Sequence, residues 1–289
     1  MGDRKKPKIS VVTPSFNQAD YLEATIQSVL SQEYPNFEYI VVDDGSEDAT
    51  QEVIKKYSSR ITCLTNEKNM GLGFTLNKGF QHATGEIMGW LGCGDKYFPW
   101  TFEVVSQIFS ALPEVEWLTS ATPFGWITRD MPLRYYRRTG FSKEAFFDGH
   151  YLPIRGCIQQ ESTFWKKSLW LRAGGRVESS IKITDFELWL RFWQHATLYS
   201  LWSPLAGIRH HQGQEPGILD YNKNSRKILD DYYHNNIFSI FYHETRYRIS
   251  RLPVLKNLIR YRYSALNYDF GEEKWAIVKE PAEIIYKKR

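Results

Sequence analysis

Between Lys8 and Ser120 the chain alternates two kinds of segment, and this alternation restricts the fold more than any other feature. "KISVVTP", "FEYIVVDDGS", "RITCLTN", "GEIMGWL" and "VEWLTS" are short runs rich in β-branched and aromatic residues. Between them lie "DYLEATIQSVLSQ", "DATQEVIKKY", "GFTLNKGFQHA" and a segment from about Pro99 to Ala111. In the first of these, Leu22, Ile26, Val29 and Leu30 recur at helical spacing. The pattern predicts βαβ units: an α/β fold with a mostly parallel, Rossmann-like sheet and flanking helices. Ligands of such sheets bind beyond the carboxyl ends of the strands. Pro14 to Asn17, Asp43-Asp44 and Asp95 all follow strands, so they are expected to line one crevice.

The rest of the chain follows a looser pattern. "FGWITRDMPLRYYRR" and "SLWSPLAGIRHH" read as strands of a mixed region, and "DFELWLRFWQHA" as a helix with a strongly apolar face. Beyond Gly217 the chain turns basic and is expected to be helical. Three regions follow: 1–120 with the βα units, 121–216 as a second part of the same body, and 217–289 as a helical extension.

Composition excludes several classes. Of the 289 residues 42% are hydrophobic and 24% charged, as in a soluble globular protein, and the net charge of +4 does not announce nucleic acid. Cys63, Cys93 and Cys157 lie too far apart for a disulfide framework or a zinc site and fit a reducing cytoplasm. No window reaches ~18 uninterrupted apolar residues, and "MGDRKKPKIS" lacks a signal-peptide core. Gly71 and Gly73 do not extend to a dinucleotide fingerprint, because Leu76 stands where the third glycine belongs. Ten tryptophans serve either a core or a sugar-stacking surface, with Trp117, Trp126, Trp165 and Trp189 as candidate rings.

"ISVVTPSFNQADYLEATIQSVLSQEYPNFEYIVVDDGSEDAT", "NMGLGFTLNKGFQHATGEIMGWL" and "TDFELWLRF" together resemble family-two glycosyltransferases of the GT-A fold, over roughly Lys8 to Gln214. The resemblance implies transfer of a sugar from a nucleotide-sugar donor to a hydroxyl, with inversion at the anomeric carbon. It also implies a bacterial-type role in surface polysaccharide synthesis, on a glycan or lipid-linked acceptor, in the cytoplasm or at the inner membrane face. Two alternatives stay open: a non-catalytic sugar-nucleotide-binding domain, and a nucleotidyltransferase, although "TPSFNQADY" is neither glycine-rich nor basic.

The same resemblance assigns roles residue by residue. Pro14 and Phe16 fall where the first loop touches the nucleobase. Asp44 falls where a carboxylate bonds the base, and Asp43 where one orders the turn; two acids before Gly-Ser also read simply as turn chemistry. Lys78 falls near a phosphate, or is a solvated helix residue. "GCGD" matches the acidic signature that ends the fourth strand. Asp95 takes the metal-contacting position for Mn²⁺ or Mg²⁺, while Gly94 stands where a second acid is common. His211, two residues after Arg209, completes the metal or diphosphate shell. Asp185 matches the general base, and as a residue type it also suits a helix N-cap; Thr184 replaces the more usual Glu before it. Gln160 and Glu161 fall on the acceptor side. Finally, Arg246 to Leu266 interleaves basic and apolar residues, which suits either peripheral contact with an anionic membrane or a helix that packs its apolar stripe on the body, with a break favoured at Pro253.

Overall fold

The computed structural model describes residues 6–122, 124–126, 132–135, 140–151, 158–181, 183–209, 218–233, 237–252 and 259–282. Strand β1 (Ile9–Ser15) leads into helix α1 (Ala19–Leu30), which buries Leu22, Thr25, Ile26 and Val29 on one face. Then come β2 (Phe37–Asp43), α2 (Thr50–Tyr57), β3 (Thr62–Thr65), α3 (Leu72–His82) and β4 (Ile87–Trp90). β1 lies parallel to β2 on one side and to β4 on the other, and β2 lies parallel to β3. The helices are the crossovers that such parallel pairings require.

The chain continues through β5 (Lys96–Tyr97), α4 (Thr101–Ala111), β6 (Trp117–Ser120), β7 (Phe124–Trp126), β8 (Pro132–Tyr135) and α5 (Lys143–Phe147). Next are β9 (Thr163–Lys166), α6 (Lys167–Arg172), α7 (Thr184–His195), β10 (Leu198–Leu201) and β11 (Ala206–Arg209). Last are α8 (Ile218–Tyr233), α9 (Ile237–Arg251), β12 (Arg262–Asp269) and β13 (Lys274–Pro281). The main sheet runs β13-β12-β10-β6-β9-β4-β1-β2-β3, and β9 is antiparallel to both its neighbours. A small sheet, β5-β11-β7-β8, stands beside it.

Pleating divides the strand side chains between two cores. Val12, Ile40 and Val42 join one core with Trp117, Trp165, Trp189 and Phe192, while Val11, Tyr39 and Val41 join the other with Leu22, Ile26 and Phe102. Trp117, Trp165 and Trp189 are 0% exposed, so three of the four tryptophans considered for sugar stacking are core residues. α7 presents them with Leu188, Leu190 and Phe192, also buried, which is what its apolar face predicts.

The extension beyond Gly217 differs from the expectation. It is helical only as far as Arg251, and from Arg262 it is a β-hairpin whose first strand lies parallel to β10. Tyr263, Ser264, Ala265 and Leu266 are all buried, because β12 is covered on both faces. The turn is set by Asp269, whose Oδ1 accepts from the amides of Gly271 (2.9 Å) and Glu272 (3.1 Å). Of the basic and apolar stretch from Arg246 to Leu266, Arg246 to Arg251 are helical and Arg262 to Leu266 lie in a strand, while residues 253–258, with Val254, Leu255, Lys256 and Leu258, lie outside the described residues. Arg246 turns inward: its Nε donates to Asp148 (3.0 Å), as do His243 Nδ1 (2.5 Å) and the Tyr261 hydroxyl (2.6 Å). That fully buried carboxylate fastens α9 to the body.

Candidate active site

The ends of β1 and β2 meet in one braced corner. Asp44 N donates to Ser15 O (2.8 Å), Asn17 N to Ser46 Oγ (2.9 Å), Glu47 N to Asn17 Oδ1 (2.8 Å) and Ala19 N to Asp48 Oδ2 (3.0 Å). Asn17 holds a left-handed conformation (φ 50°), which Asn tolerates better than most residues. Asp43 orders the turn: its Oδ1 accepts from Ser46 N (3.2 Å) and its Oδ2 from Gln51 Nε2. Pro14 is half-buried on β1, and Phe16, 39% exposed, projects from the loop after it.

Asp44 is buried and fixes the next loop. Its Oδ1 accepts from Asn66 Nδ2 (2.7 Å) and Met70 N (2.8 Å), and its Oδ2 from Gly71 N (2.9 Å). Behind it, Lys78 Nζ donates to Thr65 O (2.6 Å) and Asn66 Oδ1 (2.9 Å). Lys78 is therefore a support of the Asn66–Asp44 pair and not a solvated helix cation. One residue earlier, Asn77 makes reciprocal bonds to Val177 (3.0 and 2.8 Å), tying α3 to the loop that precedes α7.

"GCGD" forms a tight turn after β4, with Asp95 N donating to Gly92 O (3.0 Å). Gly94 has φ +99°, and a Cβ built there would touch Arg209 and Tyr21 at 3.4–3.6 Å. A side chain fits that space, but the backbone disfavours any L-residue. The turn itself therefore accounts for glycine in place of an acid. Thr25 clamps it, accepting from Gly94 N (2.8 Å) and donating to Asp95 O (2.9 Å). Arg209 closes it through Nε to Gly94 O (3.0 Å), with its guanidinium over the Tyr21 ring.

The Asp95 carboxylate is 5% exposed, and each oxygen accepts one bond: Oδ1 from Arg209 N (2.9 Å) and Oδ2 from Gln160 Nε2 (3.2 Å). Burial raises its pKa well above the ordinary carboxylate range, against the pull of those two bonds. Gln160 Oε1 is buried without a hydrogen-bond partner among the described residues. The amide turns its NH2 and not this oxygen toward Asp95, so the carboxylate is the hard oxygen ligand of the turn that suits a divalent cation. Cys93 does not join it: burial pushes its thiol up to about 12, and Sγ donates to Gln18 O (3.7 Å). Among the described residues no group of three or more His, Cys, Asp and Glu is placed to hold a metal. His211 lies outside the described residues.

Asp185 is the second residue of α7, one position inside the helix, so it is not the N-cap; Ile183 holds that place without a side-chain cap. Its partly exposed carboxylate accepts at Oδ2 from the Tyr221 hydroxyl of α8 (3.1 Å). Burial raises its pKa to about 6, partly offset by bonds from the Phe186 amide and Tyr221. Glu187 belongs to a separate pair with Arg191 (2.6 Å).

The structure thus brings Asp95 and Gln160 into contact, and Pro14, Phe16, Asp43, Asp44 and Lys78 around one corner. Glu161, next to Gln160, is 1% exposed. Sequence reasoning missed Thr25, Asn66 and Tyr221. Thr25 and Asn66 are polar residues next to apolar ones, a weak signal; for Tyr221 no local signal exists.

A parallel sheet with ligand-type residues at its strand ends and a reversed β9 within it defines the GT-A class of architecture. Two solved structures share it: Staphylococcus aureus TarS 1–349 in complex with UDP-GlcNAc (TM-score 0.59, 17% identity, covering 78% of this chain and 71% of that one), and the Pyrobaculum calidifontis mannosyltransferase PcManGT in complex with GDP-Man and Mn²⁺ (0.53, 15%, 88% and 83%). The family model "Glycosyl transferase family 2" matches residues 10–161, and the chain belongs to that family. An uncharacterized glycosyltransferase of Rickettsia typhi is 29% identical over 211 residues, 72% of this chain and 65% of the relative. TuaG of Bacillus subtilis, named for teichuronic acid biosynthesis, is 40% identical over 95 residues, 32% of this chain and 38% of its own. The chain therefore spans less than two thirds of the length of either relative.

Proposed function

We propose that the chain is an inverting glycosyltransferase that moves a sugar from a nucleotide-sugar donor to a hydroxyl of a glycan or lipid-linked glycan, in surface polysaccharide synthesis. The observation that carries this reading is the contrast between two carboxylates: Asp95, buried in a rigid strand-end turn, and Asp185, partly open and poised near 6. The donor's base would lie at the corner of Pro14, Phe16 and Asp44, with its diphosphate toward Asp95. The sugar nucleotides printed for TarS and PcManGT and the name of TuaG support the donor and product classes.

Asp185 takes the proton of the acceptor hydroxyl. The freed oxygen bonds the anomeric carbon from the face opposite the nucleotide, the bond to the diphosphate oxygen breaks, and the configuration inverts. Mn²⁺ or Mg²⁺ held through Asp95 would neutralise charge on the departing diphosphate. Gly94 gives no ground for a non-catalytic domain, since the turn geometry accounts for it.

Asp185→Asn tests the proposal. It keeps the shape of the side chain and removes the base, so kcat is expected to fall ~10²–10⁴-fold with donor affinity preserved. Near-normal kcat would place the base elsewhere.

A further inference from the structure

The carboxylate read as the base is contacted by a residue from the far end of the chain. Tyr221 lies on the first turn of α8 and donates to Asp185 Oδ2 at 3.1 Å. Its ring stands edge-on to Phe186, with centroids 6.5 Å apart at 90°, which fixes the direction of the hydroxyl. α8 holds it there by helical spacing. Ser225 and Ile228, four and seven residues on, lie on the same face, Ser225 fully buried and Ile228 packed with Tyr221 against the same core, and further along the helix the Tyr233 hydroxyl donates to Phe147 O (3.2 Å).

We propose that Tyr221 is a positioning residue for the reaction: its hydroxyl orients the Asp185 carboxylate and favours its ionised form, making α8 part of the catalytic unit. This rests on the reading of Asp185 as the base. A donor to the charged form opposes the burial that would otherwise protonate the carboxylate. Among the described side chains, the other charged groups on α6, α7 and α8 are engaged elsewhere or solvated. On α7 Glu187 pairs with Arg191; on α6 Arg172 pairs with Glu116 and Lys167 bonds Ala83 O. On α8 Arg226 pairs with Asp230 and Glu244, and Lys223 and Lys227 are exposed.

Tyr221→Phe keeps the ring and removes the bond. The acid limb of its kcat/KM profile is expected to move up by about one pH unit, as loss of a charge-assisted hydrogen bond allows. Turnover should fall about fivefold at pH 6 and little at pH 8, with an unchanged donor KM. The Asp185 carboxyl, followed by ¹³C NMR in aspartate-labelled protein and assigned by its absence in Asp185→Asn, should titrate higher by the same amount. An unmoved carboxyl titration in Tyr221→Phe overturns the proposal. A moved carboxyl titration upholds Tyr221's hold on Asp185 but, together with full activity in Asp185→Asn, refutes the base reading instead. Tyr221→Phe in an Asp185→Asn background should add no further loss of kcat; an additive loss also overturns the coupling.

Discussion

At the scale of single residues, environment separates chemically identical side chains. Asp44 is spent on three hydrogen bonds that shape a loop, Asp95 on two that leave it buried, and Asp185 on one side-chain bond that leaves it partly open. On the reading proposed above, only the last is left open enough to serve as the base. Because the folded pKa of Asp185, about 6, lies above the unfolded carboxylate value near ~3.9, its contribution to stability is present in full below ~4 and is lost as pH rises through 6. Asp185→Asn should therefore not lower the melting temperature at pH 7.5, and should compare less favourably with the parent at pH 4.5; calorimetry at the two values checks the sign. Gly94→Asp makes the opposite point. Restoring an acid common at that position puts an L-residue at φ +99°, so it should cost about 1–3 kcal/mol and read as a lower melting temperature rather than a gain in activity. Asp95→Asn keeps the size of the side chain but halves its acceptor capacity, and should abolish the increment in nucleotide affinity that Mn²⁺ provides, measured by calorimetric titration with and without EDTA.

At the scale of elements, the βαβ half was legible because its strands and helices carry their own periodicities: β1, α1, β2 and α3 stand where the apolar spacing put them. The strand-end carboxylates were legible for the same reason, since topology alone gathers them. What escaped is non-local. The hairpin of β12 and β13 was hidden behind a basic, helical-looking approach, although "YRYSALNYDFGEEKWAIV" holds two β-rich runs around an Asp-Phe-Gly turn. Burial on both faces removes the in-out alternation from β12, where Tyr263, Ser264, Ala265 and Leu266 are buried in succession, so no period-two pattern marks it as a strand. The Tyr221–Asp185 bond joins residues 36 apart in sequence and has no periodic signature. Truncation after Leu252 should expose the edge of β10 and give insoluble protein, and recovery of a soluble, cooperatively melting fragment would show that the hairpin is dispensable.

At the scale of the molecule, strands from the first, middle and last parts of the chain share one sheet. Donor binding at the strand ends is therefore expected to stabilise the whole body and not one lobe. A nucleotide-sugar at ~100 times its Kd should raise stability by about 2.7 kcal/mol, in a single transition. Comparing UDP-, GDP- and dTDP-sugars by thermal shift, with and without Mn²⁺, would rank the donors; two separate transitions would contradict the shared body.

The place of β12 also has a consequence for synthesis. β10 is paired with β6 on one side, and its other side waits for residues 262–269. A ribosome adding ~5–20 residues per second leaves that edge bare for several seconds after β10 has emerged. During that interval the nascent chain carries an open β-edge above an aromatic core, and self-association competes with folding until β12 arrives.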